Sequence, residues 1–349
     1  MSMQASLVEC VPNFSEGNDK DIIEQIIRPV RDANGVSLLD VDMGADFNRT
    51  VVTMVGEPEE VLNTVIDCTR IALELIDMRN HSGEHARMGA VDVVPFIPIK
   101  GVTMDDCVKL SERYASAVSE EFGLPIFLYA EAARIPQRVS LPDIRRGEYE
   151  GLKDKISSPE WAPDFGPAEF KPNMGATATG ARSILIAYNV NLDTDDKSKA
   201  NSIATKIRTS GSIVKDENGK KIIGEDGKAL RKPGIFQSLQ AAGWMYDSST
   251  AQVSMNLLNY DKTGLQDVTE AIRQEAKKIG LNATAGELVG LVPLGAMLSA
   301  GHYYHDGEDE SDENILVEKA ISGLMLDQLS DFEPQSCIIE WAIAEGVES

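Results

Sequence analysis

The order of apolar and amphipathic segments predicts an α+β protein made of two ferredoxin-like β-α-β-β-α-β subdomains, related by duplication, with a ligand crevice between them. Three observations carry this expectation. Over residues 182–293, one hairpin excursion aside, the segments run strand, helix, strand, strand, helix, strand. Over residues 7–98 the same order recurs, and one more helix and strand follow it. Between the two, over residues 141–180, periodicity lapses while Gly, Pro and charge accumulate, which sets the junction near Gly180. Residues 1–180 and 181–349 are the expected N-terminal and C-terminal subdomains.

Each element has its own signal. "SLVECVP" reads as a short buried strand. "NDKDIIEQIIRPVRD" places Ile22, Ile23, Ile26, Ile27 and Val30 on one helical face, with Asn18 as the expected cap. "GVSLLDVDMG" and "RTVVTMVG" are two more strands around a polar loop. A second helix starts near Pro58, a residue suited to a first turn, and Leu62, Val65, Ile66, Ala72, Leu73 and Ile76 fill its inner face. "DVVPFIPI" is a strand. Thr103 opens a third helix with Asp106 in a capping box, Gly123 ends it, and "PIFLYA" is a strand.

The second half starts with the strand "RSILIAYNVNL" and the helix "TDDKSKANSIATKIRTSG", capped by Thr194. The excursion at residues 211–234 carries Asn218-Gly219 and Asp226-Gly227 turn signals and reads as a hairpin. Strands around "IFQSLQAAGWMY" and "AQVSMNLLNY", the helix "KTGLQDVTEAIRQEAKKIG" and the strand "ELVGLVP" complete the order. The last fifty or so residues form an acidic C-terminal extension, with one or two helices and the run "DGEDESDE", which reads as a solvated loop.

Composition narrows the class. Of 349 residues, 42% are hydrophobic and 26% charged, an ordinary globular balance. The net charge of −23, from 33 Lys+Arg against 56 Asp+Glu, argues against nucleic acid and anionic membranes as partners. An anionic small ligand would need a locally cationic pocket. Cys10, Cys68, Cys107 and Cys337 are far apart, as expected of reduced thiols rather than a disulfide frame or a zinc cage. The N-terminus lacks the pattern of a signal peptide, and no apolar run approaches a membrane span. The expectation is a soluble cytoplasmic protein, in which the N-x-T matches at Asn48 and Asn282 are chance sequons.

"NHSGEHARMGAVDVVPFIP" holds His81 and His85, two of the four histidines. H-x-x-E-H is also a zinc-hydrolase pattern, with His81, Glu84 and His85 as its members. That pattern needs a continuous helix, and Asn80, Gly83, Gly89 and a fading amphipathic period argue for a loop. A loop that brings an imidazole to a ligand suits proton transfer near neutral pH. A loop with two solvated histidines is the plain alternative. His302 and His305, beside tyrosines, read as a packed helix end.

Two further stretches stand out. In "LLDVDMGADFNRT", Asp40 and Asp42 share one side of an apolar strand, either facing a ligand crevice or capping the turn. Arg49 follows in the polar knot Asn48-Arg49-Thr50, as a partner for these aspartates or for an anionic ligand. In "DFGPAEFKPNMGATATGAR", the run "GATATG" lacks the Lys-Ser/Thr of a phosphate loop and precedes a strand rather than a helix. Its Pro and Gly residues make either a fixed loop whose amides approach a ligand or an interdomain linker.

Taken together, "LVECVPNFSEG", "LLDVD", "NRTVVTMVG", "GEHARMGAVDVVPFIP", "WAPDFGPAEFKPNMGATATGAR" and "LVGLVPL" resemble the glutamate formiminotransferases, folate-dependent enzymes of histidine degradation and one-carbon metabolism. In animals these are often fused to a cyclodeaminase. The resemblance spans residues 7–294 and implies a duplicated ferredoxin-like architecture and a homodimer. It implies that His85 is the catalytic acid/base and that Asp42 matches an active-site position. It implies that Gly166, Pro167, Ala168, Glu169, Phe170, Lys171, Pro172, Asn173, Met174 and Gly175 contribute to the folate site. The implied reaction moves the formimino group of N-formimino-L-glutamate to tetrahydrofolate, giving 5-formiminotetrahydrofolate and L-glutamate, with no metal required. Arg49, Lys171 and Arg182 are the candidate cations for the ligands' carboxylates, and His81 is left as a supporting residue. The chain ends at Ser349, from which a monofunctional transferase is expected. The alternatives are formyl transfer from N-formylglutamate, a zinc hydrolase, and a noncatalytic folate-binding protein.

Overall fold

Strand and helix periodicities sort the apolar residues into separate cores, in two units that divide the chain at Met1–Ser183 and Ile184–Ser349. The computed structural model describes residues 6–45, 47–84, 86–224, 227–305 and 310–346. No described helix is long and apolar enough to cross a membrane.

The first unit contains, in order, β1 (Leu7–Cys10), β2 (Asn13–Phe14), α1 (Lys20–Asp32), β3 (Val36–Gly44), β4 (Arg49–Gly56), α2 (Pro58–Leu75) and β5 (Val91–Lys100). Next come α3 (Met104–Phe122), β6 (Ile126–Ala130), α4 (Leu141–Arg145), α5 (Glu148–Ile156) and β7 (Thr177–Ala181). β1 and β2 both pair with β4 and β5, so they act as one interrupted strand. The sheet then reads β3, β4, β1/β2, β5, β7, β6. Buried residues of α1, α2 and α3 pack on one face with Val8, Cys10, Met54 and Phe96. On the other face Ile144 of α4 and Leu152 and Ile156 of α5 cover Val93, Phe127 and Ala178.

The second unit runs β8 (Ile186–Leu192), α6 (Lys197–Ile207), β9 (Ser212–Ile213), β10 (Arg231–Lys232), β11 (Leu239–Met245), β12 (Ala251–Leu257), α7 (Leu265–Lys278) and β13 (Ala283–Val289). Its sheet has the order β11-β12-β8-β13, antiparallel throughout. Numbered within each unit, the strands lie second, third, first, fourth in both, because β1/β2 takes the place of β8. The helices α8 (Leu294–Tyr304), α9 (Glu313–Leu324), α10 (Pro334–Cys337) and α11 (Ile339–Gly346) follow.

Several local expectations shift. Asp19, not Asn18, caps α1, its carboxylate accepting from the amides of Asp21 and Ile22. Asp196, not Thr194, caps α6, while Thr194 instead accepts from the amide of Asp196. The Thr103–Asp106 capping box and the left-handed Gly123 at the end of α3 are as read. The stretch expected to be aperiodic up to Gly180 contains α4, α5 and β7, and Gly180 itself lies inside a strand. β7 runs parallel between β5 and β6, and a Cβ at Gly180 would fall 2.2 Å from the Tyr129 carbonyl oxygen. Its small residues are what allow the close approach, and they are also why no apolar period marks it. β13 begins four residues before "ELVGLVP" and is ended by Gly290 at φ 79°. Among the described residues four helices follow it rather than one or two.

The excursion at 211–234 is held at its base by β9 and β10 and further out by the bridges Lys215–Lys221 and Ile223–Ala229. Gly219 has positive φ there, as its turn signal requires, whereas Asp226 lies outside the described residues. The first half of the acidic run "DGEDESDE", residues 306–309, also lies outside them.

Candidate active site

The chain leaves α2 through a short 3-10 turn, Met78–Asn80, and has no helix over Ser82–Glu84. The continuous helical face that a zinc H-x-x-E-H requires is therefore missing. His81 is committed on both nitrogens. Its Nδ1 accepts from Arg87 Nε at 3.2 Å, and its Nε2 lies 2.9 Å from the Asn48 carbonyl oxygen. Arginine carries only donors, so Nδ1 is bare and the Nε2 proton is donated to Asn48. Burial pushes the His81 imidazole below its ordinary value, the Asn48 carbonyl works against that, and the Arg87 charge adds to it. The ring is held neutral and in one tautomer.

Arg87 is the hub of this arrangement. It is 5% exposed, and its guanidinium donates to Glu150 at 2.7 and 2.9 Å and to Glu148 at 3.2 Å. These bonds tie α5 to the loop. Asp92, 1% exposed, accepts from the Met88 amide and pairs with Arg145 of α4, fixing the loop's exit into β5. Neither partnership was visible in the sequence, because the partners lie some fifty to sixty residues away.

Close backbone approach packs the surrounding loops. Asn48, at φ 47°, donates to the Ser82 carbonyl at 2.8 Å and accepts from the Gly17 amide at 2.9 Å. A Cβ at Gly83 would lie 2.3 Å from the Phe47 carbonyl oxygen, and one at Gly17 would lie 2.5 Å from Arg49 N. Three loops thus meet through Gly17, Asn48 and Gly83. His85 lies outside the described residues.

The Gly/Pro-rich stretch joins the same place. Met174 and Ala176 flank an antiparallel bridge between Gly175 and Gly89, with Ala90 N to Met174 O at 2.9 Å and Ala176 N to Met88 O at 3.2 Å. Asn173 O accepts from Met78 N at 2.9 Å, and Tyr149 donates to Pro172 O at 2.5 Å. Phe170 packs on Tyr149 with ring centroids 5.5 Å apart. Gly166 has φ 79°, and a Cβ there would lie 2.4 Å from the Leu124 carbonyl oxygen. Ala168, Glu169, Pro172 and Asn173 are exposed, Pro167 is half-buried, and Lys171 pairs with Glu169 at 2.9 Å. Just before the stretch, Asp164 forms a buried pair with Arg138 at 2.6 Å and accepts from Leu128 N. The structure therefore brings the histidine loop and the Gly/Pro loop together by paired backbone.

A charged cluster lies alongside. Asp40 and Asp42 share a side of β3 beyond a bulge after Leu38. Burial raises Asp40, a backbone bond from Val41 opposes this, and the Asp42 charge raises it further. Arg49 is half-buried, and burial lowers it, while Asp42, Arg145 and Asp92 act on it as neighbouring charges. Arg182, the residue after β7, acts on Tyr129 and Cys10, and Arg145 acts on both Tyr129 and Arg49. His302 is exposed, and His305 ends α8. No group of three or more His, Cys, Asp or Glu placed to hold a metal ion occurs among the described residues.

Two α/β units with the same strand order are the class of protein this fold defines. Family models described as "Formiminotransferase domain, N-terminal subdomain" and "Formiminotransferase domain" match residues 7–182 and 187–344. A Dictyostelium discoideum protein named formimidoyltransferase-cyclodeaminase is 46% identical over 98% of this chain, and a Rattus norvegicus protein of the same name is 44% identical. The chain spans 61% of the length of each. A Streptococcus pyogenes serotype M1 protein named glutamate formimidoyltransferase is 38% identical over 91% of this chain and 100% of its own length. The chain belongs to the formiminotransferase family.

Proposed function

We propose that the chain transfers the formimino group from N-formimino-L-glutamate to tetrahydrofolate, giving 5-formiminotetrahydrofolate and L-glutamate, as a cytoplasmic homodimer that needs no metal. The observation that carries this reading is the full-length similarity to the Streptococcus pyogenes protein named for that activity. The meeting of the histidine loop with the Gly/Pro loop supports it, since the reaction needs a proton carrier beside a folate. Each unit is read as a ferredoxin-like subdomain of a duplicated pair.

The tetrahydrofolate N5 attacks the formimino carbon, a tetrahedral adduct forms, and the carbon–nitrogen bond to glutamate breaks. The attacking amine loses one proton and the departing amine gains one. His85 carries this proton in both directions. Asp42 orients His85 or bonds the pterin. Arg49 and Arg182 attract ligand carboxylates, and residues 166–175 line the folate. Lys171 can join them only by leaving Glu169. His81, with both nitrogens in use, positions the loop and does not exchange protons with substrate.

A turnover assay with tetrahydrofolate and either N-formimino-L-glutamate or N-formyl-L-glutamate tests the proposal. Turnover with the formimino donor and little with the formyl donor is expected. The reverse preference, or none with either, would defeat it.

A further inference from the structure

The first turn of α5 reaches both loops of the site. Arg87 presents five N–H groups, and each has an acceptor. Its Nε donates to His81 Nδ1 at 3.2 Å. Its Nη2 donates to the His81 carbonyl oxygen at 3.4 Å and to Glu150 Oε1 at 2.7 Å. Its Nη1 donates to Glu150 Oε2 at 2.9 Å and to Glu148 Oε2 at 3.2 Å. Glu150 thus grips the guanidinium with both oxygens, a fork that fixes the arginine's plane. With that plane set, Nε has one direction, toward His81. His81 and Arg87 are six residues apart, so their bonds close the neck of the loop between them. On one side of His85 the Ser82 carbonyl is held by Asn48, and on the other the Met88 amide is held by Asp92.

Tyr149, between the two glutamates, turns to the other loop. Its hydroxyl donates to Pro172 O at 2.5 Å, its ring packs on Phe170, and Arg87 Cζ stands 5.9 Å from its centroid. A regular helix would not deliver this arrangement. Residues two apart on it point roughly 200° away from each other. Glu148 and Glu150 nevertheless meet one guanidinium. Gly147 at φ 89° and Glu148 at φ 53° both lie in the left-handed region, and this break swings Glu148 round to Arg87. A residue with a Cβ keeps such a conformation only where its surroundings hold it, and such outliers gather at functional sites.

We propose that Glu150 and Tyr149 are positioning residues for the transfer: Glu150, through Arg87, sets the histidine loop, and Tyr149, through Pro172, sets the Gly/Pro loop against it. The proposal rests on the formimino-transfer reading above. Neither side chain needs to touch a substrate. The turn fixes the distance between the proton carrier and the folate, and about 1 Å of misplacement at a reacting centre costs roughly 10²-fold in rate. The two residues act on different constants. Loosening the histidine loop slows proton transfer and lowers kcat, whereas loosening the Gly/Pro loop weakens folate binding and raises its KM.

The test is steady-state kinetics with N-formimino-L-glutamate and tetrahydrofolate on full-length wild type, Glu150→Gln, Glu150→Asp and Tyr149→Phe, with rates divided by the folded fraction from circular dichroism. Glu150→Gln should lower kcat by about 10- to 100-fold and leave the KM for tetrahydrofolate within about twofold. Glu150→Asp, which keeps the charge on a shorter stem, should recover part of that loss. Tyr149→Phe should raise the KM for tetrahydrofolate by about 3- to 10-fold, as for one lost hydrogen bond, with a smaller change in kcat. Wild-type constants per folded molecule in Glu150→Gln and Tyr149→Phe would overturn the proposal, because a purely structural role moves only the folded fraction. A raised KM with kcat kept in Glu150→Gln would overturn it too. The Glu150 side chain is 64% exposed, so the glutamine buries no new group. If that variant still does not fold, a full wild-type kcat in Glu150→Asp overturns the proposal in its place. Wild type without turnover would instead defeat the transfer reading, and this proposal with it.

Discussion

At the scale of single residues, we assign the two histidines of one loop different work. His81 is a structural imidazole fixed by Arg87 and Asn48, and its tautomer follows from the donor-only chemistry of arginine. Nitrogen NMR of the ring should show a neutral Nε2–H form at mildly acidic pH; an imidazolium there would contradict the assignment. The linkage to stability has a definite sign. Burial lowers the folded-state pKa below that of the unfolded chain, near ~6.5. Between those two values only the unfolded chain binds the proton, so stability falls as pH falls through that window and levels off below it. In urea titrations at about pH 7.5 and about pH 5, wild type should lose more stability than His81→Asn. Equal losses would refute the linkage. Sequence alone argued against the zinc reading, through Gly83 and the fading helix period, and left it as an alternative. It did not show Arg87 as the clamp, because Glu148 and Glu150 reach it only once α5 has docked.

At the scale of elements, the site depends on how the Gly/Pro loop is held. Gly175 has φ 71°, and a Cβ there would lie 2.1 Å from the Met88 carbonyl oxygen. Gly175→Ala would meet backbone, which cannot rotate aside, and the left-handed conformation adds roughly 1–3 kcal/mol. Turnover should fall by more than any change in melting temperature suggests, and unchanged turnover would show that the pairing with Met88 is dispensable. The loop's other anchor is the pair Arg138–Asp164, each side chain 6% exposed. Asp164→Ala leaves a buried guanidinium without its carboxylate and should cost about 3–5 kcal/mol in urea denaturation. A loss under about 1 kcal/mol would mean that the Glu160 and Ala162 carbonyls suffice to hold Arg138. Elements with strong local signals were legible: Pro58 at the start of α2, the Thr103–Asp106 box and Gly123. β7 was not, since Thr-Ala-Thr-Gly-Ala is buried by its neighbours rather than marked by an apolar period.

At the scale of the whole chain, the repeated order of strands and helices along the sequence could be read because each unit must cover one sheet face with its own helices. Which strands lie side by side is a long-range matter, and β7 entering between β5 and β6 left no local trace. Sedimentation equilibrium should give twice the chain's mass, and a monomer would contradict the expected homodimer. The central claim is that His85 moves the proton while formimino passes to folate. Its most direct test is steady-state formation of 5-formiminotetrahydrofolate by His85→Ala, with tetrahydrofolate binding measured on the same protein. The account predicts turnover lower by roughly 10²-fold or more with binding largely kept; turnover equal to wild type would contradict it.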